Sequence, residues 1–208
     1  MFTGIVSALG RIQSTQALPG QGAGLRVRVS TPAGWLERAR PGDSICVSGA
    51  CMTAVELGAE HFAFDISAES LRLTAGLDQV GAAVNLEQSL TLADRLGGHL
   101  VSGHVDGVGQ VRAFDAVGES QHLVLSIPAE LARFVAYKGS LTVNGVSLTV
   151  NSVEDLGDGS ARAHINLVPH TLRHTNLHAL RAGSAVNLEV DLIARYVQRM
   201  LRPEPAQD

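Results

Sequence analysis

Apolar and polar residues alternate in short runs along most of the chain, a pattern typical of β-strands with one buried face. The run 25–29 reads Leu-Arg-Val-Arg-Val, and the run 62–66 alternates phenylalanine and isoleucine with smaller or polar residues. Between two such runs stands Asn144-Gly145, which predicts a two-residue hairpin turn. Short strands with frequent turn signals, in a chain with 22 glycines, favour small closed β-barrels.

The pattern changes near the end of the sequence. Apolar residues at 192, 193, 196, 197, 200 and 201 form the stripe of an amphipathic helix, and Asp191 stands at the N-cap position. We expect this helix over 191–202, ended by Pro203 and Pro205, with a flexible tail over 203–208. From the pattern alone, the helix could pack on its own domain or against other copies of the chain.

The chain also contains an internal repeat, which we take as the main guide to its domain organisation. The matching blocks are 42–54 with 138–150, 70–87 with 171–189, and 3–6 with 102–105. The offset drifts from 145 − 49 = 96 to 186 − 84 = 102, as loop insertions would cause, while the order of the blocks is kept. The sequence therefore predicts two homologous domains, 1–96 and 97–190.

Composition narrows the class of protein. Apolar residues make up 45% of the 208 and charged residues 17%, which suits a chain with a substantial core. The formal net charge of −4, without a basic run, argues against nucleic acid as a partner. We find no apolar stretch of the ~18 residues needed to cross a membrane and no secretory signal. We therefore expect a cytoplasmic globular protein.

The repeated hairpin carries the candidate chemistry. Side chains two apart on a strand share a face, so Cys51 lies beside Thr53, and Ser147 beside Thr149. Strands often carry such residues simply because one face meets solvent. The recurrence of the same polar pair in both domains also suits a pair of binding surfaces, and the residues alone leave both interpretations open.

Two further features concern cysteine and histidine. Around a turn at Ser48-Gly49, Cys46 should lie directly opposite Cys51, where an oxidant could link the two otherwise free thiols. His99 and His104 are five residues apart, which is not a usual zinc spacing. Nothing in the sequence calls for a metal or a nucleotide cofactor.

Six motifs in order resemble the riboflavin synthase family over residues 1 to about 202. They are MFTGIV, GACMT, DRLGGHLVSGHVDG, NGVSLTV, LVPHTLRHTNL and VNLEVDLIARYV. The resemblance implies an all-β fold of two homologous Greek-key β-barrels in tandem plus a C-terminal α-helix. It also implies a transferase that needs no cofactor and converts two molecules of 6,7-dimethyl-8-ribityllumazine into riboflavin and 5-amino-6-(D-ribitylamino)uracil.

Assembly and partners follow from the same resemblance. It implies a homotrimer held through the C-terminal helix, with active sites where the N-terminal barrel of one subunit meets the C-terminal barrel of another. Each site would bind two lumazines. Lumazine synthase, as a shell that encloses the trimer, is a further candidate partner.

Site residues carried over from the family fall into two pockets. The resemblance implies catalytic roles for Cys51, His104, Ser147 and Asp191, with Cys51 beside Asp191 across the interface and His104 beside Ser147. The first pocket would be lined by Phe2, Gly4, Ile5, Val6, Met52, Thr53, Asp65, Ile66, Ser67, Ala68, Glu69 and Ser70. The second would be lined by Gly103, Val105, Lys138, Leu148, Thr149, Val168, Pro169, His170, Thr171 and Leu172.

Three other functions compete with this interpretation. A non-catalytic lumazine- or flavin-binding antenna protein would keep the barrels, but we expect it to lose polar pocket residues in one half. A flavin-binding barrel of a reductase would not need the duplication. A purely structural barrel protein would need none of these side chains.

Overall fold

In a computed structural model, the chain folds into two closed antiparallel β-barrels of six strands each, followed by a helix. The structure describes residues 1–20, 22 and 24–201. The strands of the first barrel are β1 Ala8–Ala17, β2 Leu25–Ser30, β3 Ser44–Val47, β4 Ala50–Leu57, β5 His61–Ile66 and β6 Ala83–Gln88. Those of the second are β7 Gly107–Val117, β8 Ser120–Ile127, β9 Ser140–Val143, β10 Val146–Asp155, β11 Ala161–Leu167 and β12 Ala185–Val190.

The two barrels share one strand order, which confirms the predicted duplication and the all-β fold class. Around the first barrel the order is β1-β2-β5-β4-β3-β6, and the equivalent strands of the second follow the same circuit. Closure gives each of the described strands a hydrogen-bonded neighbour on both sides. The boundary between the domains near residue 97 stays a prediction, since the strands themselves end at Gln88 and resume at Gly107.

Each barrel encloses its own apolar core. Inward residues of the alternating runs, such as Val27, Val29 and Phe64 in the first barrel, are fully buried. In the second barrel Leu125 and Ile165 are buried in the same way. The period of two read from the sequence therefore assigns the inner face correctly in both domains.

Both predicted hairpin turns are confirmed. Ser48 (φ +43°) and Gly49 (φ +93°) join β3 to β4, and Asn144 (φ +47°) and Gly145 (φ +79°) join β9 to β10. Positive φ at both central residues is what a two-residue turn between twisted strands requires. The predicted register is also confirmed, because Cys46 pairs with Cys51.

The described residues include four short helices. They are α1 Ala68–Leu73, α2 Ala129–Ala132, α3 Pro169–His174 and α4 Leu192–Met200, with a 3₁₀ helix at Asn176–Ala179. Residues 33–38 form turns. Asp191 caps α4 as predicted, its carboxylate accepting from the Ile193 amide at 2.9 Å. The predicted tail, 203–208, lies outside the described residues.

The barrels meet where the two hairpin turns face each other. A Cβ placed on Gly145 would lie 2.7 Å from the amide nitrogen of Gly49. Two equivalent asparagines tie each turn to the opposite barrel: Asn85 of β6 donates to the Asn144 carbonyl at 2.8 Å, and Asn187 of β12 donates to the Ser48 carbonyl at 2.9 Å. The repeat is therefore visible as a pseudo-twofold arrangement of hydrogen bonds.

We predict that Gly145→Ala lowers the free energy of unfolding by about 2 kcal/mol more than Gly118→Ala does. Both glycines have positive φ in hairpin turns, so backbone strain is similar, but nothing lies within 4 Å of a Cβ at Gly118. Only at Gly145 would the methyl group press the two barrels apart. Denaturant unfolding of both variants measures the difference, and equal losses would contradict the close approach.

Candidate functional site

The segments that lead into the two barrels are exchanged between them. Residues 2–4 precede the first barrel, yet the Gly4 carbonyl accepts from the Ser147 amide of β10 at 2.8 Å. Residues 101–103 precede the second barrel, yet the Gly103 carbonyl accepts from the Cys51 amide of β4 at 2.7 Å. Each repeated hairpin is therefore flanked by the leading segment of the other domain.

This exchange corrects the predicted composition of the two pockets. Gly4, Ile5 and Val6 were expected beside Cys51, but Gly4 bonds to Ser147 and Val6 packs against the core of the second barrel. The segment 103–105 lies beside Cys51 instead, and Val105 packs against the core of the first barrel. The alternation of the strands indicates which face is buried, but not which barrel a leading segment joins.

Glycine is required where each leading segment meets a hairpin. Gly4 (φ +75°) and Gly103 (φ +77°) both adopt left-handed backbone conformations. A Cβ on Gly4 would lie 2.6 Å from the Cβ of Ser147, and one on Gly103 would lie 2.7 Å from the Cβ of Cys51. Both the conformation and the contact therefore exclude a side chain.

Two buried glutamates hold the leading segments in place. Glu87 on β6 accepts from the Thr3 amide at 2.6 Å, the Thr3 hydroxyl at 2.7 Å and the Gly4 amide at 3.0 Å. Glu189 on β12 accepts from the same groups of Ser102 and Gly103 at 2.7, 2.6 and 3.0 Å. Burial raises the pKa of both carboxyls, and the hydrogen bonds oppose that rise.

Phe2 is fully buried. It pairs with Val101 of the other leading segment and packs with Cys46 and Cys51. Phe2 was predicted to line a pocket, but the side chain is part of a small core between the barrels.

The hairpin of the first barrel opens onto a cleft of about 170 Å³. Half-buried Cys51 lies in it, with His104 of the exchanged segment and Ser70 of α1. Cys46 lies opposite Cys51 on β3, and burial raises the pKa of its thiol, so it is protonated at neutral pH. The complete lining is Ala50, Cys51, Met52, Ser70, Leu73, Thr74, Gly103, His104 and Val105.

The hairpin of the second barrel carries a serine bound to a histidine. The hydroxyl of Ser147 lies 2.7 Å from Nδ1 of His99, and Nε2 of the same ring lies 3.2 Å from the hydroxyl of Thr142. The predicted partner of Ser147 was His104, which lies beside Cys51 instead. The sequence pattern does not identify His99, because its five-residue spacing from His104 matches no usual metal site.

The electrostatic environment keeps His99 neutral near neutral pH. Burial lowers the pKa of its imidazole, and the negative charge of Asp191 opposes this only in part. A neutral imidazole has one donor and one acceptor nitrogen, so it can pass a proton in either direction. Ser147 and His99 thus form a hydrogen-bonded pair capable of proton transfer.

The remaining predicted residues surround the two hairpins or lie further away. Asp65 forms a two-point ion pair with Arg26, which holds the pKa of that carboxyl below its usual range. Lys138 stands on the turn before β9, with its ammonium 5.5 Å from the centre of the Tyr137 ring. Ile66 is buried in the first core. Ser67 caps α1, and Ala68 and Glu69 lie in its first turn.

The equivalent stretch of the second barrel is α3 with its cap. Val168 is the N-cap residue, Pro169 follows it, and Leu172 packs against the second core. The rings of His170 and His174 stack, with their centres 4.1 Å apart. Thr171 accepts at its carbonyl from the hydroxyl of Thr175. Leu148 points into the barrel, while Thr149 is exposed on the same face as Ser147.

Within the described part of the chain, no cluster of three or more His, Cys, Asp and Glu residues could hold a metal ion. Over the same residues, no helix combines the length and apolar character needed to span a membrane.

A family model described as "Lumazine binding domain" matches the chain twice, over residues 3–89 and 102–191. The two matches coincide with the two barrels. They begin within the leading segments and end with the strands that carry Glu87 and Glu189.

Curated relatives match along nearly the whole length. Riboflavin synthase of Photobacterium phosphoreum is 38% identical, covering 100% of this chain and 92% of the relative. That of Mycobacterium bovis is 40% identical, covering 97% and 98%. That of Bacillus subtilis is 35% identical, covering 97% and 90%.

Solved structures of LumP are also similar to this chain. A crystal structure of LumP complexed with riboflavin is 27% identical and superposes with a TM-score of 0.78, covering 91% of this chain and 99% of LumP. LumP complexed with 6,7-dimethyl-8-(1'-D-ribityl) lumazine gives 0.76 over the same shares of the two chains. With two copies of the lumazine binding domain and full-length relatives at this identity, the chain belongs to the riboflavin synthase family.

Proposed function

We propose that this chain is a riboflavin synthase, which transfers a four-carbon unit between two identical 6,7-dimethyl-8-ribityllumazine molecules. The products are riboflavin and 5-amino-6-(D-ribitylamino)uracil. The observation that carries the proposal is that both repeated hairpins keep reactive polar side chains, Cys51 in one and Ser147 with His99 in the other. The name and ligands of the relatives support the choice of substrate.

A duplicated barrel suits a reaction between two like molecules. Each half supplies a hairpin, a leading segment and a short helix in the same arrangement, so each can bind the same heterocycle. Holding two reactants in contact removes translational and rotational freedom, which can contribute about 7–11 kcal/mol to lowering a barrier. What remains is addition of a nucleophile and transfer of protons.

The two halves differ in the groups that they offer for this chemistry. Ser147 and His99 provide a hydrogen-bonded pair for proton transfer, an effect worth about 10²–10⁴-fold in rate. Cys51 offers a half-buried thiol at the equivalent position, 147 − 96 = 51. We propose that Asp191 approaches Cys51 across a subunit boundary.

A homotrimer is part of the proposal, and two features support it. The cleft beside Cys51, about 170 Å³, is smaller than the roughly 300 Å³ of an ordinary small-molecule pocket, so a second subunit would complete it. None of the residues of α4 is buried, and the exposed side chains of Ile193, Tyr196, Val197 and Met200 form an apolar stripe. Such a stripe suits contact with other subunits.

A non-catalytic lumazine-binding protein is the second candidate, and the similarity to LumP favours it. In that case one pocket would bind a single chromophore, and the acid–base groups of the hairpins would take part in no reaction. Both hairpins of this chain keep such groups, and the full-length curated relatives are synthases. We therefore prefer the enzyme.

We expect the purified protein, given the lumazine alone, to form flavin at half the molar amount of lumazine consumed. The stoichiometry follows because one molecule of each pair is the donor. Absorbance of the flavin measures the product, and chromatography measures the second product. A stable complex with one lumazine per chain and no flavin would favour the binding protein instead.

Removing the thiol should affect turnover more than binding. We predict that Cys51→Ala lowers kcat by about 10²-fold, as loss of one acid–base or nucleophilic group does, whereas Cys51→Ser retains part of the activity. Asp191→Ala should lower kcat as well. Steady-state kinetics measure these effects, and Asp158→Ala, at an exposed turn, is the control. Wild-type kcat in Cys51→Ala and Asp191→Ala would remove both residues from the catalytic set.

Charging the stripe of α4 should dissociate the trimer. We expect Val197→Glu to give monomers without turnover, because a carboxylate would be desolvated at the interface. Val117→Glu is the matched control, since Val117 is also an exposed valine (57%, against 48% for Val197) but lies at the end of β7. Sedimentation and the flavin assay measure the two effects. A trimer in Val197→Glu would exclude α4 from the interface.

A further inference from the structure

The hydroxyl of Thr142 contacts the imidazole that holds Ser147, at the other ring nitrogen. Thr142 lies on β9 and is 1% exposed. Its hydroxyl lies 3.2 Å from Nε2 of His99, while Nδ1 lies 2.7 Å from the Ser147 hydroxyl. The ring is therefore held at both nitrogens by hydroxyl groups.

A hydroxyl carries one hydrogen to donate and two lone pairs to accept with. Within the described residues, the only hydrogen-bond partner of the Thr142 hydroxyl is Nε2 of His99. If Nε2 carried the proton, the buried Thr142 hydrogen would have no acceptor. Leaving a buried donor unpaired costs about 1–3 kcal/mol, so Thr142 donates to Nε2 and the ring proton resides on Nδ1.

We propose that Thr142 is a positioning residue that selects the Nδ1–H tautomer of His99, so that His99 donates to the Ser147 oxygen and Ser147 turns its own hydrogen toward the bound heterocycle. Ser147 is half-buried and can direct that hydrogen out of the hairpin. Ser147 would then act as a hydrogen-bond donor to an acceptor atom of the substrate. This role rests on the proposed function, whereas the tautomer itself does not.

The first barrel offers no such arrangement, which makes the two pockets different. The counterpart of Thr142 is Cys46, at 142 − 96 = 46. Cys46 packs with Phe2 and Val101, and its thiol is a much weaker donor than a hydroxyl. A hydrogen-bond donor polarised through a histidine is therefore a property of the second barrel only, among the described residues.

Nitrogen NMR of the imidazole tests the assignment without any substrate, because protonated and lone-pair nitrogens resonate far apart. In the wild-type protein near neutral pH we expect the proton on Nδ1. In Thr142→Val we expect the ring proton to spread over both nitrogens, so that their two signals move toward each other, and in Thr142→Ser the wild-type signals should return. Thr31→Val is the control, since Thr31 is a buried threonine whose hydroxyl has no partner among the described residues.

Steady-state kinetics of the Thr142 variants provide a second test. We expect Thr142→Val to lower kcat about tenfold, as loss of one orienting hydrogen bond does, with KM little changed and Thr142→Ser near wild type. In the wild-type protein, a His99 proton on Nε2, or on both nitrogens, would overturn the proposal even if the enzyme is active. A proton on Nδ1 in a protein that makes no flavin would uphold the tautomer and remove the proposed function.

Discussion

The site depends on one constraint: each barrel must hold the leading segment of the other. Glu87 and Glu189 impose it, because a buried carboxylate is tolerated only when its oxygens accept hydrogen bonds, and each here receives three from a single leading segment. The segments then run on to the opposite hairpins. The same hydrogen bonds therefore fix the leading segments, their contacts with the hairpins and the contact between the barrels. Neither pocket is complete in an isolated domain.

This constraint explains why the pockets share a frame yet differ in chemistry. Gly4 and Gly103 approach the hairpins in the same way, so a ring bound to either meets the same backbone. The side chains on these hairpins differ: the second barrel has Ser147 bound to His99, while the first has Cys51 opposite Cys46. A reaction that gives two identical molecules opposite roles needs such a difference, because equal pockets would polarise both molecules equally.

Most of the fold could be predicted from the sequence, since it depends on local signals. The period of two defines the buried faces, Asn144-Gly145 defines a hairpin, and the repeat defines two domains. The exchange could not be predicted, because Gly4 and Gly103 carry the same signal in both copies and a repeat does not specify which copy pairs with which. The matched glutamates were the available clue: a buried carboxylate in both copies requires donors from elsewhere in the chain.

The site shows the same division between local and distant signals. Cys51 and Ser147 could be identified because a repeated hairpin places them on one face. The Ser147–His99 pair could not, since 48 residues separate the two and His99 and His104 both flank the same short leading segment. The structure places the two histidines at different hairpins. His99 contacts Ser147 in the hairpin of its own barrel, whereas His104, carried by the exchanged segment, lies beside Cys51 of the first barrel. The exchange therefore distributes one histidine to each hairpin, which is how a single short stretch of sequence supplies both half-sites.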